Sequence, residues 1–562
     1  LYALSGQHLC AALWRSVPPA PMKGSQPMCV QYTSGTAGLK PRGLVFDHAG
    51  LLCGAILTME TCLDVRRGSD VMLVRAAPSW VTGQTYAVSG ALGCRCVTVL
   101  GPWDDLPAPV LSAVLAHAGV TNFIASASVL KRALAPLPCD SHPQASGRGQ
   151  VLPHQQLARP SQQAPVAPLT RPANGPPSKL RVGVSCGEPL SAAAHELGMS
   201  ALTSHYINAY WATEHGVIVL AHTYGNADQP LRADARMLPL PWVGAEVWVP
   251  EQAKIPAPGA ILASFRSARP EKSTRTPETG LLVCTKPWPG MARTVWGESE
   301  AVGTPGWRGN LDAFRAAYYP SCVVDGAPAR GFSLGDLAQL WGDGSVSVIG
   351  RQHELMPSSL ADDTSPLSGS SVSTAEASPR RIPGGVRRSY GGARGQVCVC
   401  EVENTLLQCG EVLDCLLVMV PLSTNGSEEL HAREARSRAS DRLFAGDTRL
   451  DIQAPPPCEM APVACLVLRD GGEVGEELAA ALKKMVHEAH GEGYVPTDFV
   501  PIRAIPRTYN SKPMRQVVAQ LFAGNFHGDV SEIANPTCLS ELSSTIADWC
   551  AMQAMPVLDE LP

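Results

Sequence analysis

Hydrophobic and polar positions follow two alternating periods along the first part of the chain. Apolar residues recur at helical spacing at Leu51, Leu52, Ala55, Ile56, Met59 and Leu63, which predicts one amphipathic helix. Short runs rich in β-branched residues at 71–75 and 96–100 are typical of strands. This alternation of strands and helices over residues 26–135 predicts an α/β layered domain.

Two polar stretches interrupt the pattern. Residues 138–178 are dominated by Pro, Gln, Ser, Arg and Gly, a composition that cannot bury a core, so we expect a disordered insertion there. The α/β pattern resumes at residue 180, continues through a β-rich stretch at 217–300, and ends near 351. A second biased stretch, rich in Ser, Pro, Arg and Gly, covers 357–396.

A smaller α/β unit follows the second stretch. Its clearest helix lies within 473–490, where an apolar stripe is formed by Val474, Leu478, Leu482, Met485 and Val486. We therefore expect the α/β chain to be divided into four parts: a large multi-layer domain at 1–353, a hinge and insertion at 354–396, a small α+β domain at 397–530 and a C-terminal tail at 531–562.

Composition and charge narrow the range of partners. The net charge of −5 and the pI near 6.3 give no basic face, so we expect no nucleic-acid partner. The apolar runs are too short for a membrane span. The 18 cysteines form no C-x-x-C pair, which favours buried thiols in a reducing compartment over zinc or disulfides. Either the cytoplasm or the mitochondrial matrix would suit, and no pattern sets an oligomeric state.

The most informative stretch is residues 31–48, QYTSGTAGLKPRGLVFDH. It combines hydroxyl side chains, glycines and the cations Lys40 and Arg42, which together suit a polyphosphate because many short donors approach it closely. The candidate phosphate contacts are Thr33, Ser34, Gly35, Thr36 and Gly38. A Walker loop is excluded, since Leu44 and Val45 stand where Lys and Ser or Thr are required.

This stretch resembles the signature loop of the adenylate-forming enzymes, and further segments are similar to those of acetyl- and propionyl-CoA synthetases. In chain order they are SWVTGQTYAVSGAL (79–92), VGVSCGEPL (182–190), NAYWATEHG (208–216), KPWPGMARTVW (286–296), FSLGDLAQLWGDGSVSVIGR (332–351) and IPRTYNSKPMR (505–515). On this order of seven segments the chain is identified as a member of the AMP-forming acyl-CoA synthetases of the adenylate-forming (AMP-binding) superfamily, similar to its short-chain members.

The resemblance implies an acid–thiol ligase that joins acetate or propionate to coenzyme A through an acyl-adenylate, with ATP and Mg²⁺. It implies catalytic roles for Lys512, Thr213 and Glu214, with Glu214 also holding Mg²⁺. Besides the loop, it implies nucleotide contacts from Gly187, Glu188, Pro189, Asn208, Tyr210, Asp336 and Arg351. The implied acyl pocket is lined by Val81, Thr82, Cys186 and Trp211, where the tryptophan closes the pocket to longer chains.

Three other interpretations remain open, and one of them is a member of the same superfamily that takes another acid, such as acetoacetate or a medium-chain acid. A catalytically degenerate or truncated homologue, kept as a binding or scaffold protein, is favoured by Arg42 in place of lysine, Asn208 in place of aspartate and His353 at the hinge. It is also favoured by residues 1–31, which replace a much longer segment of the family, so we expect part of the large domain to be missing. A serine hydrolase is the third alternative, because residues 183–187 fit G-x-S-x-G around Ser185.

Overall fold

The structure is a computed structural model that describes residues 20–33, 42–100, 108–127, 129, 179–251, 263–270, 276–297, 309–356, 397–421, 460–469, 471–508, 512–524 and 533–553. Both polar stretches, 138–178 and 357–396, lie outside these residues, as do Ser34, Gly35, Thr36 and Gly38 of the candidate phosphate loop.

Strands and helices alternate as the hydrophobic pattern predicts. The strands are β1 (Pro27–Thr33), β2 (Arg42–Asp47), β3 (Val71–Val74), β4 (Val97–Val99), β5 (Asn122–Ala125), β6 (Val182–Ser185), β7 (Tyr206–Tyr210), β8 (Leu220–Ala221), β9 (Ala245–Pro250), β10 (Ala263–Ser267), β11 (Glu278–Cys284), β12 (Thr294–Val295), β13 (Ser321–Val324), β14 (Ala327–Arg330), β15 (Asp336–Leu340), β16 (Val346–Arg351), β17 (Val412–Pro421), β18 (Met460–Leu468) and β19 (Asp498–Pro501). The α-helices are α1 (His48–Cys62), α2 (Ala108–His117), α3 (Ala192–Ala201), α4 (Leu311–Tyr318), α5 (Val399–Leu406), α6 (Glu476–His490), α7 (Arg515–Phe522) and α8 (Cys538–Gln553).

The first of two larger sheets is mainly parallel and has the order β4-β3-β5-β6-β7-β8. Its strands pair in parallel from β4 to β7, and only β8 is antiparallel. The strands β5 and β6 are buried along their whole length on both faces, as crossover helices require, whereas the edge strand β4 is partly exposed. A π-helical segment, Gly83–Gly90, packs on α1 with Tyr86 fully buried. The carboxyl ends of these parallel strands therefore meet along one edge.

The second larger sheet is mainly antiparallel and has the order β14-β13-β10-β9-β11-β15-β16. Its last two strands place Asp336 directly opposite Arg351. A third, small sheet is formed by β1, β2 and β12, and in the sequence the candidate phosphate loop lies between its first two strands. One apolar core joins residues from all three sheets, from Leu44 to Val346.

Residues beyond 356 build separate cores around a three-stranded sheet, β17-β18-β19. Helices α5 and α6 cover one face, and the predicted stripe residues Leu482 and Val486 are fully buried there. Helices α7 and α8 cover the other face. We refer to this C-terminal part as the small unit and to the part ending at Glu354 as the large unit.

Helix α8 adds to what we expected of residues 531–562. We expected a tail, but Leu542, Ile546 and Cys550 of α8 are buried in the core of the small unit. The helical spacing of these three residues explains the helix. The α/β class itself is confirmed. No helix in the described ranges is long and apolar enough to cross a bilayer, and the described cysteines are free thiols.

Candidate active site

Three of the predicted site segments lie at the same edge of the mainly parallel sheet. The segment with Val81 and Thr82 follows β3, Gly187 follows β6, and Trp211 follows β7. Because the carboxyl ends of parallel strands form the crevice in which such sheets bind ligands, sheet topology alone gathers segments that are far apart in sequence.

Asp336 forms the polar centre of the site. Its carboxylate is 5% exposed, accepts a hydrogen bond from the Tyr210 hydroxyl, and lies 3.3 Å from Nε of Arg351. Burial raises the pKa of Tyr210 and Asp336 raises it further, so the phenol stays a donor. Burial works against the charge of Arg351, but Asp336 and the other acidic groups around it together outweigh burial and raise the pKa of the guanidinium. A carboxylate has about four lone-pair sites, so Asp336 can still accept hydrogen bonds from a ligand diol.

The turn that carries Thr213 and Glu214 is fixed by buried aromatic packing. Residues Thr213–His215 form a 3₁₀ turn in which Nδ1 of His215 accepts from the Ala212 N–H at 3.0 Å. The Trp288 indole donates to the His215 carbonyl at 2.9 Å. Burial lowers the pKa of His215 to about 3, so the ring is neutral and keeps this acceptor role at physiological pH. The turn is therefore rigid.

Glu214 is partly buried and lies beside several groups of the site. Burial raises the pKa of its carboxyl, while its own backbone N–H and the charge of Arg351 act against that rise. The Tyr318 hydroxyl, from the end of α4, donates to Oε1 of Glu214 at 3.3 Å. Tyr318 has no place in the seven segments, and the sequence carries no signal for it.

Lys512 reaches this site from the small unit. Its side chain keeps contact with solvent, yet protein surrounds its ammonium closely enough for burial to lower the pKa, and the cation of Arg351 lowers it further. Carboxylates act in the opposite direction on the Lys512 pKa: Glu354, Asp336 and Glu214. Lys512 therefore lies within electrostatic reach of Asp336, although the two residues belong to different units.

The turn after β6 has the geometry expected of a close-approach site. Gly187 has φ +83°, and a Cβ there would lie 3.2 Å from Cη2 of Trp80. Pro189 is exposed and Glu188 is partly buried. Burial works against the charge of Arg507, a residue of the small unit, but the carboxylates of Asp414 and Glu188 act in the opposite direction and its pKa is raised. Trp80 is a candidate base-stacking residue that the sequence segment contained but that we did not single out.

The predicted acyl-pocket residues are all buried. Val81, Thr82, Cys186 and Trp211 are 2–6% exposed. The Trp211 ring meets Tyr86 edge-on, with 5.4 Å between ring centroids, and Cys186 belongs to the same apolar core. Burial raises the pKa of the Cys186 thiol, so the thiol stays protonated and packs as an apolar side chain. Tyr86, which the sequence did not single out, packs against Trp211 in the same core.

Asn208 is used within the protein. The side chain is 7% exposed, and its Nδ2 donates to the Ala235 carbonyl at 2.8 Å. Ala235 has φ +59°, and its N–H donates to Nδ1 of His195 at 2.9 Å. A non-glycine residue at this φ is strained, so Asn208 and His195 together hold a strained backbone segment.

Ser185 does not have the geometry of a hydrolase nucleophile. It ends β6, its side chain is fully buried, and its φ is not positive. A nucleophile elbow must expose the hydroxyl at a strained turn. The serine-hydrolase alternative is therefore contradicted by the burial of Ser185 in the sheet.

A separate groove of about 230 Å³ lies on the small unit, between the end of β19 and α8. Its polar part is the exposed ion pair between Arg503 and Glu541, 3.1 Å apart. It does not contain the titratable groups that meet around Asp336. We therefore place the candidate active site at Asp336, Glu214, Arg351 and Lys512.

Comparison with known proteins shows what this chain is similar to. Residues 4–262 match the family model described as AMP-binding enzyme. Acetyl-coenzyme A synthetase of Pyrobaculum aerophilum is 24% identical over 531 residues, which cover 93% of this chain and 59% of that protein. Acetyl-coenzyme A synthetase of Mycolicibacterium smegmatis is 24% identical over 535 residues, covering 94% and 43%. The sequence similarity to these curated proteins extends over most of the chain.

The chain spans about three fifths or less of the length of these curated relatives. Among solved structures, the benzoate CoA ligase from Burkholderia xenovorans LB400 has a TM-score of 0.53 at 17% identity, covering 89% of this chain and 70% of that one. The anthranilate CoA ligase AuaEII, in complex with anthranoyl-AMP, has a TM-score of 0.54 at 15% identity, covering 89% and 68%. At these identities the likeness establishes the fold.

Proposed function

We propose that this chain is an AMP-forming acid–thiol ligase that activates a short carboxylic acid, acetate or propionate, with ATP and transfers the acyl group to coenzyme A. The observation that carries this proposal is that Lys512, from the small unit, lies within electrostatic reach of Asp336, Glu214 and Arg351 of the large unit. The division into domains at 1–353 and 397–530 is part of the same proposal.

In the first half-reaction a carboxylate oxygen of the acid attacks the α-phosphorus of ATP, a P–O bond forms, and pyrophosphate leaves. The two reactants are both anionic, so the site must neutralise charge and hold them in line. The cations of Lys512 and Arg351 supply that charge, with Lys512 on the pentavalent phosphorus. Thr213 would donate to the α-phosphate, and the loop that starts at Thr33 would hold the β- and γ-phosphates.

The remaining groups of the site would bind the ribose and the adenine of ATP. Asp336 would accept hydrogen bonds from the two ribose hydroxyls, because its contacts with Tyr210 and Arg351 leave lone pairs of the carboxylate available. Tyr210 and Arg351 orient this carboxylate. The adenine would lie on the turn of Gly187, Glu188 and Pro189, beside the indole of Trp80. We propose that Asn208 supports the same turn region indirectly, through its hydrogen bond to the Ala235 carbonyl.

The donor set suits a divalent cation shared with phosphates. Mg²⁺ is usually held by one or two carboxylates and by substrate phosphate oxygens, and it keeps several waters. Glu214 is one such carboxylate, and within the described ranges no cluster of three or more metal-ligating side chains competes for the ion. When bound, Mg²⁺ would neutralise phosphate charge, and Glu214 would hold it there.

The substrate class follows from the buried wall. Trp211, packed edge-on against Tyr86, fills the space that a longer acyl chain would need. Cys186 and Val81 add apolar surface. One methylene changes binding by only about 1–3 kcal/mol, so the wall is compatible with both acetate and propionate. In the second half-reaction the thiol of coenzyme A attacks the acyl carbonyl carbon, a C–S bond forms, and AMP leaves.

The test is exchange of labelled pyrophosphate into ATP by the full chain, with acetate and with propionate. We expect acid-dependent exchange, and we expect Lys512→Ala to lower it about 100-fold, since removing one group that stabilises transition-state charge has an effect of this order. Lys483→Ala is the control, because Lys483 is an exposed lysine on α6, and it should leave exchange unchanged.

Exchange that survives Lys512→Ala would refute the role of the lysine. A folded wild-type chain that binds ATP without any acid-dependent exchange would refute the ligase itself and favour the scaffold alternative.

A further inference from the structure

Tyr318 occupies a position between two charged groups of the site. Its hydroxyl donates to Oε1 of Glu214 at 3.3 Å. The guanidinium carbon of Arg42 lies over the Tyr318 ring, 5.8 Å from its centroid. Arg42 is the first described residue after the candidate phosphate loop. The phenol therefore contacts both a cation next to the phosphate loop and the candidate metal carboxylate.

The position of Tyr318 is fixed by several independent contacts. The side chain is 5% exposed, and the ring stacks on Phe332 and packs against Phe314, with centroid distances of 5.5 and 5.1 Å. The Ser333 N–H donates to the Tyr318 carbonyl at 2.9 Å. A buried ring in such packing has one rotamer, so its hydroxyl has a defined direction.

The same aromatic core holds Glu214 from its other side. Phe332 lies 5.3 Å from the His215 ring, and His215 fixes the turn that carries Glu214. His215 thus fixes the backbone of Glu214, and Tyr318 orients its carboxylate through a hydrogen bond. Arg42 and Glu214, both described by the structure, form no direct ion pair.

We propose that Tyr318 is a positioning residue that orients the Glu214 carboxylate for a divalent cation and keeps Arg42 from pairing with it. This inference rests on the proposed function. Without the phenol, the carboxylate would gain rotational freedom and a nearby guanidinium, and both changes weaken its affinity for Mg²⁺.

The experiment measures equilibrium binding of ATP to the full chain by calorimetry over a series of Mg²⁺ concentrations and in EDTA. For Tyr318→Phe we expect the Mg²⁺ concentration for half-maximal binding to rise about tenfold, because groups that orient a metal ligand typically contribute 10- to 100-fold in metal affinity. Binding in EDTA should stay unchanged, which a general loss of structure would not allow.

Tyr319→Phe is the matched control. Tyr319 is the next residue, packs on the same Phe332 and Phe314, and its hydroxyl meets only the sulfur of Met291 at 3.8 Å among the described residues. It should keep the wild-type Mg²⁺ requirement. A second test combines variants: in a Glu214→Gln background, Tyr318→Phe should cause no further change, because Tyr318 acts through Glu214.

Each outcome has a defined meaning. If wild-type ATP binding depends on Mg²⁺ and Tyr318→Phe matches Tyr319→Phe, the role of Tyr318 is overturned while the proposed function stands. If the wild-type chain binds no ATP at any Mg²⁺ concentration, both are overturned. Should Tyr318→Phe fail to fold, Tyr318→Leu also removes the donor, and a wild-type Mg²⁺ requirement in that variant would overturn the role.

Discussion

The two sides of the candidate active site are built in different ways. On the large unit, the Thr213–His215 turn is fixed by neutral hydrogen bonds and by the aromatic rings around His215. On the small unit, the segment that carries Lys512 is tied at its ends by ion pairs, Arg507 with Asp414 at 2.7 Å and Arg515 with Glu403. Lys512 itself is exposed between these two anchors.

The difference means that the large unit holds its site groups in fixed positions, whereas the small unit brings a solvated lysine to them. Buried aromatic packing fixes groups that must stay in place for metal and phosphate, because close-packed interiors tolerate little displacement. Ion pairs at the ends of a segment fix its direction while leaving the lysine between them solvated. We expect the first side to respond to steric changes and the second to changes in charge.

The largest effect should come from a steric change on the rigid side. Gly216 has φ +72°, and a Cβ there would lie 2.0 Å from the Gly290 carbonyl oxygen. We expect Gly216→Ala to reduce the free energy of unfolding by about 4 kcal/mol, since backbone strain and overlap add. Gly225, with φ +71° and open space around it, is the control, and Gly225→Ala should cost about 1 kcal/mol. Urea unfolding of both variants checks this, and equal losses would contradict the clash.

A smaller effect should come from an anchor of the Lys512 segment. Arg515 and Glu403 have side-chain exposures of 22% and 12%, and Arg515→Met leaves the Glu403 carboxylate largely buried without its partner. We expect a loss of about 3 kcal/mol. Arg503, whose pair with Glu541 is mostly exposed, is the control, and Arg503→Met should change stability by less than about 1 kcal/mol. A loss at Arg503 as large as at Arg515 would show that burial does not govern these pairs.

The smallest effect should be a pH dependence of the free energy of unfolding that comes from Glu401, which lies on the same helix, α5, as Glu403. Burial raises the pKa of Glu401 to about 7, whereas the unfolded group titrates near 4.5. The folded state therefore binds more protons between these values, so this contribution is complete below pH 4.5 and is lost as pH rises through 7.

Isosteric replacement tests this contribution. Between about pH 5 and pH 8 we expect the wild-type chain to lose about 2 kcal/mol more of its unfolding free energy than Glu401→Gln does. Urea unfolding at both pH values measures the difference. Parallel pH profiles for the two proteins would exclude Glu401 as the titrating group.

Local patterns in the sequence determined much of the architecture. The helical spacing of six apolar residues predicted α1, and the apolar stripe from Val474 to Val486 predicted α6. Both helices are visible in the sequence because an element that buries one face carries apolar residues at its own period. The order of the seven segments also predicted that Lys512 and Asp336 share one site, and the structure places the two residues within electrostatic reach of each other; their catalytic roles stay a prediction. Helix α8, which we expected as a tail, shows that a short apolar period near a chain end is easily overlooked.

Other features of the site were decided by tertiary structure alone. Tyr318 contacts Glu214 across 104 positions of sequence, and no local period records that contact. Asn208 turns to Ala235, and Ser185 is buried in its strand, because neighbouring strands and loops determine what a side chain meets. The sequence by itself specified which segments bear the reactive groups. Only the crossing of sheets and the docking of the small unit decided which groups meet, since contacts between distant residues depend on the packing of the whole chain.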